Sequence, residues 1–194
     1  MTTHEEPGAR SAMQARLEHV RRNVAAAGAA SASLGAGAEI APLPSSDVAT
    51  VCAIDAASFD AGWSESKYLA CAGRREAYVL RVAAPDASHD EPARIGAAFV
   101  VTPHDDHVVL ARLAVAAEYR RLGLATRAVR WALAFAEARG AARVTLHVRE
   151  GNAEARALYE RLGFSIDARL DGFYGRGSPE AALCLSRRCG AADR

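Results

Sequence analysis

Lysine is nearly missing from this chain: of 24 basic residues only Lys67 is lysine, and the rest are arginine. Against 23 acidic residues they leave a formal net charge of +1, so no global positive field recruits nucleic acid or an anionic membrane. A local arginine cluster can still serve a small anionic ligand; the bias itself is attributed to genome composition. Cysteine is scarce too. Cys52, Cys71, Cys184 and Cys189 form no CxxC and no Cys/His pattern that closes a tetrahedral site, so no metal is expected. They read as reduced thiols in a reducing compartment, which points to the cytoplasm. No run of about 20 strongly apolar residues occurs, so no membrane span is expected. The nearest stretch, 25–38, is rich in Ala, Gly and Ser. A secretory leader is not expected either, because Glu5 and Glu6 precede any apolar run.

What is present is a balance of 51% hydrophobic and 24% charged residues, which implies a buried core rather than a disordered chain. Two parts are expected: an N-terminal extension, 1–39, and a compact domain, 40–190. In the extension Met13, Leu17, Val20 and Val24 recur at helical spacing, with Arg16, Glu18, Arg21 and Arg22 between them. This predicts an amphipathic helix over 11–27, then a flexible linker over 28–39. Docking, trailing in solvent and targeting all stay open for that helix.

In the domain, Ser46 or Asp47 is the expected cap of a helix through Val51, Ile54 and Phe59, and Ser64 caps a short helix through Tyr68. Strands 77–82, 95–101 and 108–115 follow as an antiparallel meander. Next come a helix of about 16 residues stopped by Gly140, a strand 144–148, a helix 152–162, and strands 164–170 and 181–186. The crossover from 108–115 to 144–148 makes those two strands parallel. The expected class is α/β (α+β): one mixed, mostly antiparallel sheet of about 6–7 strands with helices on both faces.

The loop Tyr119-Arg120-Arg121-Leu122-Gly123-Leu124-Ala125-Thr126 joins a strand to a helix start. Open amide N–H groups and the helix dipole suit a pyrophosphate there, Gly123 permits close approach, Ala125 keeps the next contact small, and the arginines add positive charge. Neither GxGxxG nor GKS/T is present, so no dinucleotide or Mg-nucleotide site is expected.

Arg120-x-x-Gly123-x-Ala125, preceded by Leu113-Ala114-Val115, resembles the acetyl-CoA pyrophosphate signature of the GNAT superfamily of N-acetyltransferases. Asn152-x-x-Ala155-x-x-Leu158-Tyr159-x-x-Leu162-Gly163-Phe164 resembles that family's second signature. The resemblance covers roughly 40–187 and implies a sheet splayed between the strands of Leu113–Val115 and Leu146–Val148, where the pantetheine of acetyl-CoA inserts. It further implies that the N–H of Leu113 or Val115 polarises the thioester carbonyl, that Asn152 contacts the pantetheine arm, and that the phenol of Tyr159 protonates the leaving sulfur. Asn152 and Tyr159 are seven residues apart, which puts both on one face of a continuous helix.

Acetyl transfer to an amine also needs a base, because only the neutral amine attacks. His147 alternates with Leu146 and Val148 and so faces the opposite side of its strand, with a pKa near 6.5 suited to the task. The resemblance supplies a Leu-His-Val context found in some eukaryotic N-terminal acetyltransferases, where bacterial ribosomal-protein alanine acetyltransferases usually carry Glu. Glu118 and His107 are the alternatives.

Two further segments bear on the acceptor. Phe59-Asp60-Ala61-Gly62-Trp63-Ser64-Glu65 resembles the F-x-x-x-W-S-E loop of ribosomal-protein alanine acetyltransferases. Arg169-Leu170-Asp171-Gly172-Phe173-Tyr174 with Glu180-Ala181-Ala182 resembles the aromatic loop of N-terminal acetyltransferases, with Phe173 where a first tyrosine is usual. The resemblance implies that Phe59, Trp63 and Tyr174 line a groove for a protein N-terminus, a ribosomal protein being one such acceptor. A small amine as acceptor and a non-catalytic acyl-CoA-binding module are the alternatives.

Overall fold

Apolar, β-branched runs form the central strands Ala77–Val82 (β2), Arg94–Pro103 (β3) and His107–Val115 (β4), which pair as the expected antiparallel meander. The computed structural model describes residues 7–33, 39–82, 93–175 and 180–190. Gly96 to Val101 of β3 are all buried, as a strand covered on both faces requires. A short edge strand, Glu39–Pro42 (β1), pairs antiparallel with β2. Its four residues end in proline, which an edge strand tolerates and which hid it from the sequence pattern.

Helix Leu124–Ala138 (α4) crosses over to Arg143–Arg149 (β5), which runs parallel to β4. Helix Ala153–Arg161 (α5) leads to Ser165–Leu170 (β6), and Ala182–Arg188 (β7) inserts between β5 and β6. The result is a seven-stranded sheet in the order β1-β2-β3-β4-β5-β7-β6, mixed and mostly antiparallel. Helices Val48–Ala56 (α2) and Glu65–Gly73 (α3) cover one face, where Val48, Val51 and Tyr68 pack on Val79, Ala98 and Val100. Helices α4, α5 and Pro7–Ser33 (α1) cover the other. There Trp131 stacks on Phe135 and lies 4.3 Å from Tyr78, centroid to centroid, and all three are fully buried. Full burial of each such aromatic contributes about 1.5–3 kcal/mol.

The first helix departs from its sequence pattern. It runs to Ser33, so 28–33 are helical rather than linker. Alanine has the highest helix propensity, and here it extends the helix. Residues 34–38 of the expected linker lie outside the described residues, as does the side chain of Met13, and its last residue, Glu39, opens β1. The apolar stripe is not the docked face: Leu17 and Val24 are 46% and 50% exposed. Asn23, Ala26 and Ala30 are buried instead, against α4. Small side chains let the two helices approach, and Asn23 donates to the carbonyl of Arg74 (3.0 Å) and accepts from Arg139 Nη1 (2.6 Å).

Two expected caps part ways. Ser64 Oγ accepts from the N–H of Lys67 (3.3 Å) and starts α3. Asp47 takes the N-cap position of α2 without a side-chain cap bond: a 3-10 turn, Ser45–Asp47, precedes that helix, and the Asp47 carboxylate pairs with Arg81 instead. Helix α2 stops at Ala56, leaving Phe59 in the loop.

Candidate active site

Strands β4 and β5 pair only through His107–Leu110 and Arg143–Leu146. Beyond that point β4 runs on to Val115 paired with β3, and β5 runs on to Arg149 paired with β7. The two strands therefore diverge. A bulge accompanies the divergence: Val100 pairs with Arg112 but Val101 with Leu110, so Ala111 is the extra residue and local twist increases. The N–H of Ala116 donates to Gly96 O (3.0 Å). By alternation the Ala98–Ala114 pair also bonds across to β3, while the N–H groups of Leu113 and Val115 turn toward the open edge.

The arginine loop lies just past this edge. Buried Tyr119 and Leu124 pin its two ends into a cluster with Leu80 and Ala97. Gly96 makes that possible, since a Cβ there would lie 2.6 Å from Leu124 and 2.9 Å from Val82. Between the pins Arg120, Arg121, Leu122 and Gly123 are all exposed. Gly123 takes φ +79° as the N-cap of α4, and no side chain caps that helix. Its first amides, at Leu124, Ala125 and Thr126, thus have no intrahelical acceptor. Arg120 Nε reaches back to Val115 O (3.4 Å), and Arg121 meets Glu154 (3.1 Å) in a solvent-exposed pair.

Helix α5 begins on the same side. Asn152 is its N-cap, its Oδ1 accepting from the N–H of Ala155 (3.0 Å), which leaves the amide hydrogens of Nδ2 as donors. Because Asn152 precedes the helix, the seven-residue spacing does not place it on a helical face with Tyr159: it is exposed and Tyr159 is buried. The Tyr159 ring packs edge-on against Phe164, centroids 5.7 Å apart, and burial pushes its phenol up to about 12.

The opposite face of the sheet carries the other candidates. Leu146 and Val148 are buried toward α4, and His147 is exposed on the far side. Its ring stacks on Phe173 at 4.5 Å, and the partial loss of water lowers its pKa below the ordinary value. Tyr174 meets Phe173 edge-on and lies under the guanidinium of Arg149 (4.3 Å). Arg149 is held by Glu180 (2.8 Å), whose other oxygen accepts from Gly151 N (2.9 Å). Arg149 also pairs with Asp60 (3.2 Å), joining the β6–β7 loop to the α2–α3 loop across the sheet. In the latter loop Phe59 lies 3.5 Å from the Arg112 guanidinium, and Trp63 lies under Lys67 Nζ (3.6 Å).

His107 does not come to this place. It pairs with Arg143 at the closed end of β4, stacked on His104 and bonded to Asp106 (2.6 Å), roughly 26 Å along the strand from Val115. Glu118 is exposed in the turn that follows β4. Sequence reasoning missed Asp55, Arg112 and Arg149. The signal for Arg112 was one charge inside an otherwise apolar strand; nothing marked Asp55 as its partner. Among the described residues, no group of three or more His, Cys, Asp or Glu is placed to hold a metal ion. No helix among them is long and apolar enough to cross a membrane.

The acetyltransferase (GNAT) family profile matches residues 49–164, which include the splayed strands, the arginine loop and α5. The chain belongs to the GNAT acetyltransferase family. N-alpha-acetyltransferase 30 of Schizosaccharomyces pombe is 38% identical over 69 residues, 36% of this chain and 46% of the relative. The match thus spans about half of that relative's length. The ribosomal-protein-S18-alanine N-acetyltransferase of Escherichia coli superposes with a TM-score of 0.66 at 25% identity, covering 80% of this chain and 96% of that one. Ard1 of Thermoplasma volcanium superposes with a TM-score of 0.69 at 21% identity, over 80% and 100% of the two chains, a likeness of fold. The mixed, splayed sheet is the GNAT fold.

Proposed function

We propose that this GNAT protein transfers acetyl from acetyl-CoA to the α-amine of a protein N-terminus, by direct attack in a ternary complex. One observation carries the reading. The cofactor-side groups (the arginine loop, the start of α4, Asn152 and Tyr159) belong to one side of the sheet, the aromatic loops and His147 to the other, and the strands part between them.

In this reading the unbonded amides at Leu124, Ala125 and Thr126, with Arg120, Arg121 and Gly123, hold the pyrophosphate, and Leu122 stands beside it. The edge of Leu113, Ala114 and Val115 bonds the pantetheine, with a turned N–H of Leu113 or Val115 at the carbonyl oxygen as it gains charge. Nδ2 of Asn152 steadies the same arm. His147, neutral at pH 7, accepts the proton lost by the attacking amine, directly or through water. Tyr159, protonated throughout the working range, donates to the departing sulfur. Phe59, Trp63 and Tyr174 form the walls that hold the first residues of the acceptor. The fit to acetyl-CoA rests on the open amides and positive φ at Gly123; no step calls for a metal.

The acceptor class rests on the two aromatic loops and on the S18-alanine acetyltransferase likeness, so a ribosomal protein N-terminus is the first acceptor to try. The reduced-thiol reading supports a cytoplasmic location as part of this proposal. The deciding measurement is acetyl-CoA turnover against peptides beginning with Ala, Ser, Met-Leu and Met-Lys, the same peptides with blocked α-amines, spermidine and free amino acids. Turnover confined to free α-amine peptides is expected. Turnover only with small amines would move the function to metabolite acetylation, and none at all, with acetyl-CoA still bound, would leave an acyl-CoA-binding module.

A further inference from the structure

Asp55 of α2 is fully buried, and its carboxylate accepts four hydrogen bonds. They come from Tyr68 Oη (2.8 Å), Trp63 N (2.7 Å), Arg112 Nε (2.6 Å) and Arg112 Nη2 (2.7 Å). Arg112 reaches it from β4, and its Nη2 donates also to Ala61 O (2.9 Å). Its guanidinium covers Phe59 at 3.5 Å and lies 5.5 Å from Trp63. Burial alone would raise the Asp55 carboxyl, but the donors from Arg112, Trp63 and Tyr68 outweigh it and hold the group below the usual carboxylate range. The two side chains are an ion pair at neutral pH.

A buried ion pair is a poor device for stability, since an apolar pair of similar volume commonly serves as well or better. What this one supplies is position. The loop from Ala57 to Ser64 has no strand or helix of its own. Past Phe59, its backbone is fastened by Asp55 at Trp63 and by Arg112 at Ala61. Arg112 itself belongs to the β4 bulge, one residue before Leu113, whose N–H faces the open edge. A single side chain thus ties the loop carrying Phe59 and Trp63 to the strand edge where the strands part.

The geometry points to Arg112 as a positioning residue, anchored by Asp55, that sets the Phe59–Trp63 loop in register with the splayed edge of β4 and so aligns the acceptor amine with the acyl group. This rests on the reading of that loop as an acceptor wall. A guanidinium is required because it presents two parallel donors to Asp55 and a further bond to Ala61 in one plane.

The test compares wild type with Arg112→Lys and with the double variant Asp55→Leu/Arg112→Met, which leaves no charge unpaired. Thermal melting, calorimetric titration with CoA, and steady-state kinetics in both substrates are measured. Both variants are expected to fold and to bind CoA as wild type does. Both are expected to lose on the order of 100-fold in kcat/KM for peptide, through a raised peptide KM and a lowered kcat, at unchanged KM for acetyl-CoA. Wild-type kcat/KM in either variant would overturn the assignment. So would a loss confined to kcat, in proportion to the fraction folded. Should the double variant not fold, Arg112→Lys decides alone. If wild type acetylates only small amines, the peptide reading falls by itself, and the same comparison on that amine decides Arg112: unchanged kinetics would overturn it, and a raised amine KM with lowered kcat would support it.

Discussion

The imidazole of His147 lies against the ring of Phe173, centroids 4.5 Å apart and planes 22° from parallel. Phe173 is itself 47% exposed, so the stack stands at the mouth of the site rather than in the core. It shields one face of the imidazole, the proposed base, from water, and that desolvation disfavours the imidazolium.

A lowered pKa keeps His147 neutral, and competent as a base, to more acid pH than an ordinary histidine. The acid limb of the kcat/KM profile is expected below the ordinary 6.5. Phe173→Ala should move that limb upward and reduce the rate at pH 6 more than at pH 8. His147→Ala should abolish the limb and lower the rate near pH 7, with partial recovery at high pH where the amine loses its own proton. A profile indifferent to both changes removes His147 from the mechanism.

In the proposed mechanism Tyr159 gives a proton and does not take one. With its phenol pushed up to about 12, it stays protonated across any practical assay range. Tyr159→Phe should lower kcat by about 100-fold or more, with little change in CoA affinity by calorimetry. Equal losses in both would assign the ring a packing role against Phe164.

Gly123 holds φ +79° where α4 begins. An L side chain there costs roughly 1–2 kcal/mol in backbone strain and obstructs the amides. Gly123→Leu is expected to weaken CoA binding by at least about tenfold, or 1.4 kcal/mol, because the side chain obstructs the amides and a loop that relaxes away from φ +79° must return to it on binding. Unchanged binding in a titration would put the pyrophosphate elsewhere.

Asn23 tests the docking of the first helix. Its side chain is fully buried, bonded to Arg139 at the end of α4 and to Arg74 O at the end of α3. Asn23→Leu should cost about 1–3 kcal/mol in urea unfolding by leaving those groups unpaired, with kcat unchanged. Leu17→Ser, on the exposed side, should cost almost nothing.

Much of this architecture is legible in the sequence because local chemistry decides it. The alternation of Val144, Leu146 and Val148 sets which way His147 faces, a serine before Glu65 starts α3, and Gly123 in a strand-to-helix turn marks where α4 begins. The signatures around Arg120 and Asn152 pointed to the family for the same reason: they are local requirements of one ligand. The four-residue β1 escaped because so short an edge strand has no period to read. The stripe on α1 left docking open because helical spacing reports which side chains are alike, not which face a neighbour covers, and alanines beside Asn23 let α4 come closer than leucines would. Tertiary structure alone decided the rest. Asp55 and Arg112 are 57 positions apart in the chain, and no local rule pairs a helix carboxylate with a strand guanidinium. The parting of β4 from β5 likewise goes with a bulge defined only against β3. Contacts between distant segments are chosen by packing and charge pairing in the folded state, which the sequence encodes only through the whole chain at once.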